Sequence, residues 1–247
     1  MPMHHELLHP EALNLAELLG RAEALQGLVL VGGTALALQI GHRLSLDFDF
    51  ACLEERLPVA RLDGLVSHLK AEGHEARLIT SPQQIASFRI NAGEDLLALT
   101  RDYVIDGVKV TFFVLGRNKA QRDFFRNAET VRDERTGLTL MGLEGLRVAK
   151  TLVLAERVRS RDLYDLHVLM RDHGVMPDDL FRTVRELATV DDPEYYRSVL
   201  RGEIPLDTAD EGLEAVDVTA DMNEVHGFFN RILDEWETAR ARKFFGD

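Results

Sequence analysis

The chain has 247 residues, 45% of them hydrophobic, enough for one large or two small domains with a sizeable core. A formal charge of −13 argues against a broad nucleic-acid-binding surface, and no run approaches the ~20 consecutive apolar residues of a transmembrane helix. The single cysteine, Cys52, rules out an internal disulfide, and the opening Met1-Pro2-Met3-His4-His5-Glu6 is neither basic nor apolar, so a reducing cytoplasm is the expected location.

The first predicted element is an amphipathic helix over 10–25, with Leu13, Leu15, Leu18 and Leu19 as its apolar residues. The apolar run Leu28-Val29-Leu30-Val31 then reads as a buried strand. It stops at Gly32-Gly33, and Thr34 opens a short helix. A second strand carries Asp47 and Asp49 at alternate positions, which puts both carboxylates on one face and Leu46, Phe48 and Phe50 on the other. Residues 59–72 form a helix ended by Gly73. Strand-like runs follow at 76–80, 87–90, 96–105 and 108–115, the last two joined by the hairpin signal Asp106-Gly107. From Leu143 the pattern is helical, with candidate helices at 143–158, 161–172, 178–189, 193–200 and 222–243. The expected fold is α+β: an N-terminal half (1–137) with a mixed sheet flanked by helices, and a helical half (138–247). Its active site is expected at their junction.

Two carboxylates on one strand face repel each other, and a hard cation such as Mg²⁺ or Mn²⁺ between them removes that cost. Gly32 and Gly33 let backbone amides approach a phosphate, and the following helix turns its positive end towards it. Thr34 and Ser45 add hydroxyls that either bind phosphate or brace the turn. A phosphate cradle beside a carboxylate pair is the layout of a nucleotidyl-transfer site, with Asp47 and Asp49 as metal ligands.

A second cluster lies at 150–166. On a single helix over 146–166, Lys150, Arg157 and Arg161 share a narrow sector with Asp165 near its edge, a stripe suited to a triphosphate. A helix restarting at Ser160 changes that stripe but still gathers Arg157, Arg159 and Arg161. Charge along the chain is uneven. Glu203 to Glu224 contains no lysine or arginine, whereas Arg117 to Arg161 is rich in basic residues.

These residues carry a resemblance. Gly32-Gly33-Thr34-Ala35-Leu36 with His42-Arg43-x-Ser45-x-Asp47-x-Asp49-Phe50 resembles the AbiEii/AbiGii-type toxin family of the nucleotidyltransferase superfamily. The family's second signature, a lysine, spaced arginines and Arg-Asp-x-x-Asp-Leu, is similar to Lys150 through Leu166. The resemblance implies an NTP-dependent, pyrophosphate-releasing enzyme of a toxin–antitoxin or phage-defence system, with transfer RNA as an acceptor and a cognate antitoxin as partner. It implies catalytic roles for Asp47, Asp49, Lys150 and Asp165, and nucleotide binding by Gly32, Gly33, Thr34, Ser45, Arg157 and Arg161. The third carboxylate of many nucleotidyltransferases has no counterpart at the expected position, which is Thr111; Asp165 is the implied substitute. Two other readings stand beside this one: a transferase acting on a small antibiotic-type acceptor, and a degenerate nucleotide-binding module.

Overall fold

The structure is a computed structural model, and it describes residues 3–245. The chain divides into two compact units, with the division after Leu146.

The first unit begins with α1 (Pro10–Gly20), where Pro10 supplies the preset φ of a helix start. The predicted helix over 10–25 ends at Gly20, and a short 3₁₀ turn, Glu23–Leu25, completes the segment. β1 (Leu28–Val31) is buried along its whole length, as its apolar sequence requires. α2 (Gly32–Ile40) starts at the first glycine and ends at Gly41, whose φ of +67° no side chain adopts cheaply. β2 (Phe48–Cys52), α3 (Val59–Ala71) and β3 (Ala76–Leu78) follow.

The run 87–90, expected as a strand, lies inside a helix, α4 (Pro82–Ala92). Local capping overrides the strand-like composition. The Ser81 hydroxyl accepts from the Gln84 amide, the Gln84 side chain accepts from the Ser81 amide, Pro82 occupies the first turn and Gly93 closes the end at φ +71°. No residue of α4 is buried, so no strand-like burial opposes this choice.

β4 (Thr100–Ile105) and β5 (Val108–Val114) form the expected hairpin, with φ of +47° at Asp106 and +83° at Gly107. Three elements escaped the sequence pattern: α5 (Lys119–Asn127), β6 (Thr130–Arg132) and β7 (Thr139–Met141). The sheet has seven strands in the order β3-β4-β5-β2-β1-β7-β6. It is mixed: β2 runs parallel to β5 and β1 parallel to β7, while the other pairs are antiparallel. β7 lies beyond residue 137 and still pairs with β1, so this unit extends to Leu146. Phe48, Phe50, Tyr103, Ile105, Val110 and Phe112 form the buried side of its central strands.

The division falls within α6 (Leu143–Val153). The second unit continues with α7 (Ser160–Asp172), α8 (Pro177–Leu187), α9 (Pro193–Arg201) and α10 (Met222–Phe245). Its core joins Leu163 and Leu166 of α7 to Phe181, Tyr196, Leu200, Phe229 and Leu233. No helix among the described residues is long and apolar enough to cross a membrane. The α+β class and the mixed sheet are as the sequence indicated.

Candidate active site

Asp47 immediately precedes β2, and Asp49 is its second residue. Both are half-buried while Phe48 and Phe50 are buried, so the expected alternation holds. Asp49 pairs in register with Val31 on one side and Thr111 on the other.

Gly32 follows Val31 at φ +70°. A Cβ built there would lie 2.5 Å from Asp49 Oδ2, so only glycine lets the turn and the carboxylate approach this closely. A Cβ on Gly33 would lie 2.4 Å from Nη2 of Arg43. Arg43 is buried, and its Nη1 donates to the Leu44 carbonyl at 2.9 Å. The glycine turn therefore has a carboxylate against one residue and a guanidinium against the next. Val31, at the N-cap of α2, offers no side-chain acceptor to the amides of the first turn.

Of the two roles the sequence allowed the hydroxyls of Thr34 and Ser45, their hydrogen bonds are of the bracing kind. Thr34 Oγ1 donates to the carbonyl of Asp47 and lies 2.7 Å from Ser45 Oγ. Since the threonine proton is committed to that carbonyl, Ser45 must donate to Thr34. Both residues are buried, and their chain of hydrogen bonds fixes the backbone that carries Asp47.

Thr111 Oγ1 donates to Asp102 Oδ1 at 2.8 Å, and these two residues are partners in the β4–β5 register. The sequence left Asp102 unmarked because its proximity to Asp49 depends on two strand pairings. His5 Nε2 is hydrogen-bonded to the buried Asp133 at 2.8 Å. Cys52 is buried, and burial pushes its thiol pKa up, as suits an apolar filler.

In the second unit the helix breaks between Val153 and Ser160, so the single-helix stripe over 146–166 does not form. The restart at Ser160 is the alternative the sequence allowed. Asp210 caps it, its Oδ1 accepting from Ser160 N at 3.1 Å and from Ser160 Oγ at 3.0 Å. Lys150 Nζ lies 2.6 Å from Asp162 Oδ1 and 2.6 Å from Asp165 Oδ2. Arg157 Nε donates to Asp162 Oδ2 at 2.9 Å. Arg161 is directed instead to Glu211, from the acidic segment.

Lys150, Arg157 and Asp165 are thus joined in one network of ion pairs through Asp162 and Lys150. Asp162, part of the Arg-Asp-x-x-Asp-Leu signature but given no role from the sequence, links Lys150 to Arg157. Burial alone would raise the Asp162 carboxyl, but Lys150 and Arg157 hold it below its ordinary value.

Among the described residues, no group of three or more histidines, cysteines or acids is arranged to hold a metal ion. The Asp47–Asp49 pair still suits Mg²⁺ or Mn²⁺. Its donors are carboxylate oxygens, and the missing Cβ of Gly32 leaves space at Asp49 Oδ2. Such a cation commonly takes one or two carboxylates and fills its shell with water and substrate phosphate.

Comparison with known proteins gives the family and the fold. An uncharacterized protein of Aquifex aeolicus (strain VF5) is 27% identical over 217 residues, 84% of this chain and 86% of its own length. The nucleotidyltransferase toxin MenT4 of Mycobacterium tuberculosis H37Rv superposes with a TM-score of 0.54 at 14% identity, covering 90% of this chain and 84% of that one, and so shares the fold. The model of the nucleotidyl transferase AbiEii toxin family, assigned to type IV toxin–antitoxin systems, matches residues 15–242. With that match across nearly the whole sequence, the chain belongs to the AbiEii family of nucleotidyltransferase toxins.

Proposed function

We propose that this enzyme is divalent-cation-dependent and transfers a nucleotide from an NTP to an RNA acceptor of the transfer-RNA class. In this reading it is the toxin of a toxin–antitoxin or phage-defence pair with a cognate antitoxin. The observation that carries the chemistry is the approach of Gly32 to Asp49, which brings an amide-lined turn against a carboxylate. Asp47 and Asp49 would hold Mg²⁺ or Mn²⁺, which when bound supplies Lewis-acid polarisation and alignment of the α-phosphorus.

The chain's own groups do the rest. Amides of Gly32 and Gly33 bind phosphate oxygens, and Arg43 adds positive charge behind Gly33. Thr34 and Ser45 keep Asp47 in place. Lys150, Arg157 and Arg161 are assigned to the phosphates and to charge developing on the leaving pyrophosphate. Asp165 is assigned to orienting the attacking hydroxyl. The basic stretch from Arg117 to Arg161 supports an RNA acceptor, bound with strong salt dependence.

The test is label transfer. Purified protein is incubated with Mg²⁺, each α-labelled NTP in turn and total RNA, beside an Asp47→Ala, Asp49→Ala double variant. Label on a small-RNA band, lost in the variant, is expected. Absence of label from all RNA would overturn the RNA acceptor; transfer to an aminoglycoside-type hydroxyl in the same assay would replace it.

A further inference from the structure

The half-open side of the sheet carries a row of three residues across adjacent strands: Asp49 on β2, Thr111 on β5 and Asp102 on β4. Directly paired residues project to the same side of a sheet, about 4.8 Å apart from strand to strand. On the opposite side Phe48, Phe50, Val110, Phe112 and Tyr103 are buried apolar neighbours, and the remaining flanking residue, Arg101, is a buried arginine paired with Asp63.

Aspartate is depleted in strand interiors. Yet Asp102 is held firmly in one. Its amide donates to Thr80 Oγ1 at 3.0 Å, and its carbonyl accepts from the Ile79 amide at 2.8 Å, extending the β3–β4 pairing past the end of β3. Its carboxylate accepts the Thr111 proton at 2.8 Å. A threonine hydroxyl has one proton and two acceptor lone pairs. With the proton on Asp102, Thr111 Oγ1 has only acceptor capacity left for whatever occupies the space beside Asp49. A purely structural Thr–Thr pair would serve the sheet without desolvating a charge.

We propose that Asp102 is a positioning residue for the cation site: by fixing the Thr111 hydroxyl, it presents an oxygen acceptor next to Asp49 to a water of the cation's hydration shell. This pair fills the place where a third carboxylate is otherwise expected. The proposal rests on the reading of Asp47 and Asp49 as cation ligands. Outer-shell partners of this type typically govern metal affinity or activity by about 10–100-fold.

The experiment measures Mn²⁺ affinity by electron paramagnetic resonance on the full chain, with a non-hydrolysable NTP present and without RNA, so no turnover is required. The proteins are wild type, Asp102→Ala, Thr111→Val, Thr111→Ser and Asp49→Ala, each checked for an intact fold by circular dichroism. The expected result is about tenfold weaker Mn²⁺ binding in Asp102→Ala and Thr111→Val, near-wild-type binding in Thr111→Ser, and loss in Asp49→Ala. If Asp49→Ala loses Mn²⁺ while Thr111→Val binds as wild type does, the proposal falls and the cation reading stands. If wild type binds no Mn²⁺, the cation reading itself falls, and the proposal with it.

Discussion

Gly32 and Asp49 approach so closely that a Cβ on the glycine would lie 2.5 Å from Asp49 Oδ2. The obstructing atom is the end of a rotatable side chain, so an alanine here is accommodated by turning the carboxylate away. Backbone strain at φ +70° adds about 1–2 kcal/mol. Gly32→Ala is therefore expected to lower stability modestly while reducing nucleotide transfer by about 100-fold, the scale of a misplaced reacting group. Thermal melting and labelled-NTP transfer measured on the same preparation check both halves.

Thr34 and Ser45 predict the converse pattern. Thr34→Val leaves the Asp47 carbonyl and the Ser45 hydroxyl without their partner in a buried setting. The cost is about 1–3 kcal/mol. Thr34→Ser retains the oxygen and is expected to restore most of both stability and activity. Denaturant unfolding of the two variants separates them, and equal loss in both would count against the hydroxyl chain.

Removing Asp162 tests the charge network. Asp162→Ala leaves buried Lys150 with Asp165 and removes one carboxylate partner of Arg157. Removing one partner of a buried pair costs about 3–5 kcal/mol, and the remaining Asp165 keeps the loss near the lower end. The Asp162 carboxyl is held below its ordinary value, so the stability it contributes is present above about pH 4 and lost as pH falls through its folded value. Urea unfolding of wild type and variant should therefore converge at acid pH.

His167 predicts a second pH dependence, at a different pH. Its ring is buried, 4.6 Å from the ring of Phe228, and Nδ1 has no hydrogen-bond partner among the described residues. Burial, with Arg171 adding to it, pushes the imidazole below its ordinary pKa. A depressed folded value means its contribution is complete above about pH 6.5 and is lost as pH falls through the folded value. The melting temperature of wild type is expected to fall more steeply between pH 7 and pH 5 than that of His167→Leu. Parallel curves would exclude this ring as the source.

Much of the architecture was legible because local signals agreed with tertiary need. Leu28–Val31 had to be a buried strand, Asp106-Gly107 supplied both positive φ values of a tight hairpin, and the C-terminal helices showed their period. Residues 87–90 misled because Phe88 and Ile90 look strand-like; a capping box outside that window decides the conformation. β6 and β7 are three residues each, too short to show a period.

The sequence by itself determined the α+β class, the glycine turn and the alternation of Asp47 and Asp49, because each depends on neighbours within a few residues. Tertiary structure alone decided what those residues meet. Strand register set Asp102 and Thr111 in the row of Asp49, and the break before Ser160 folded Asp162 onto Lys150. Pairings across strands and between helices are fixed by how buried faces match over long separations, and no local window of sequence carries that information.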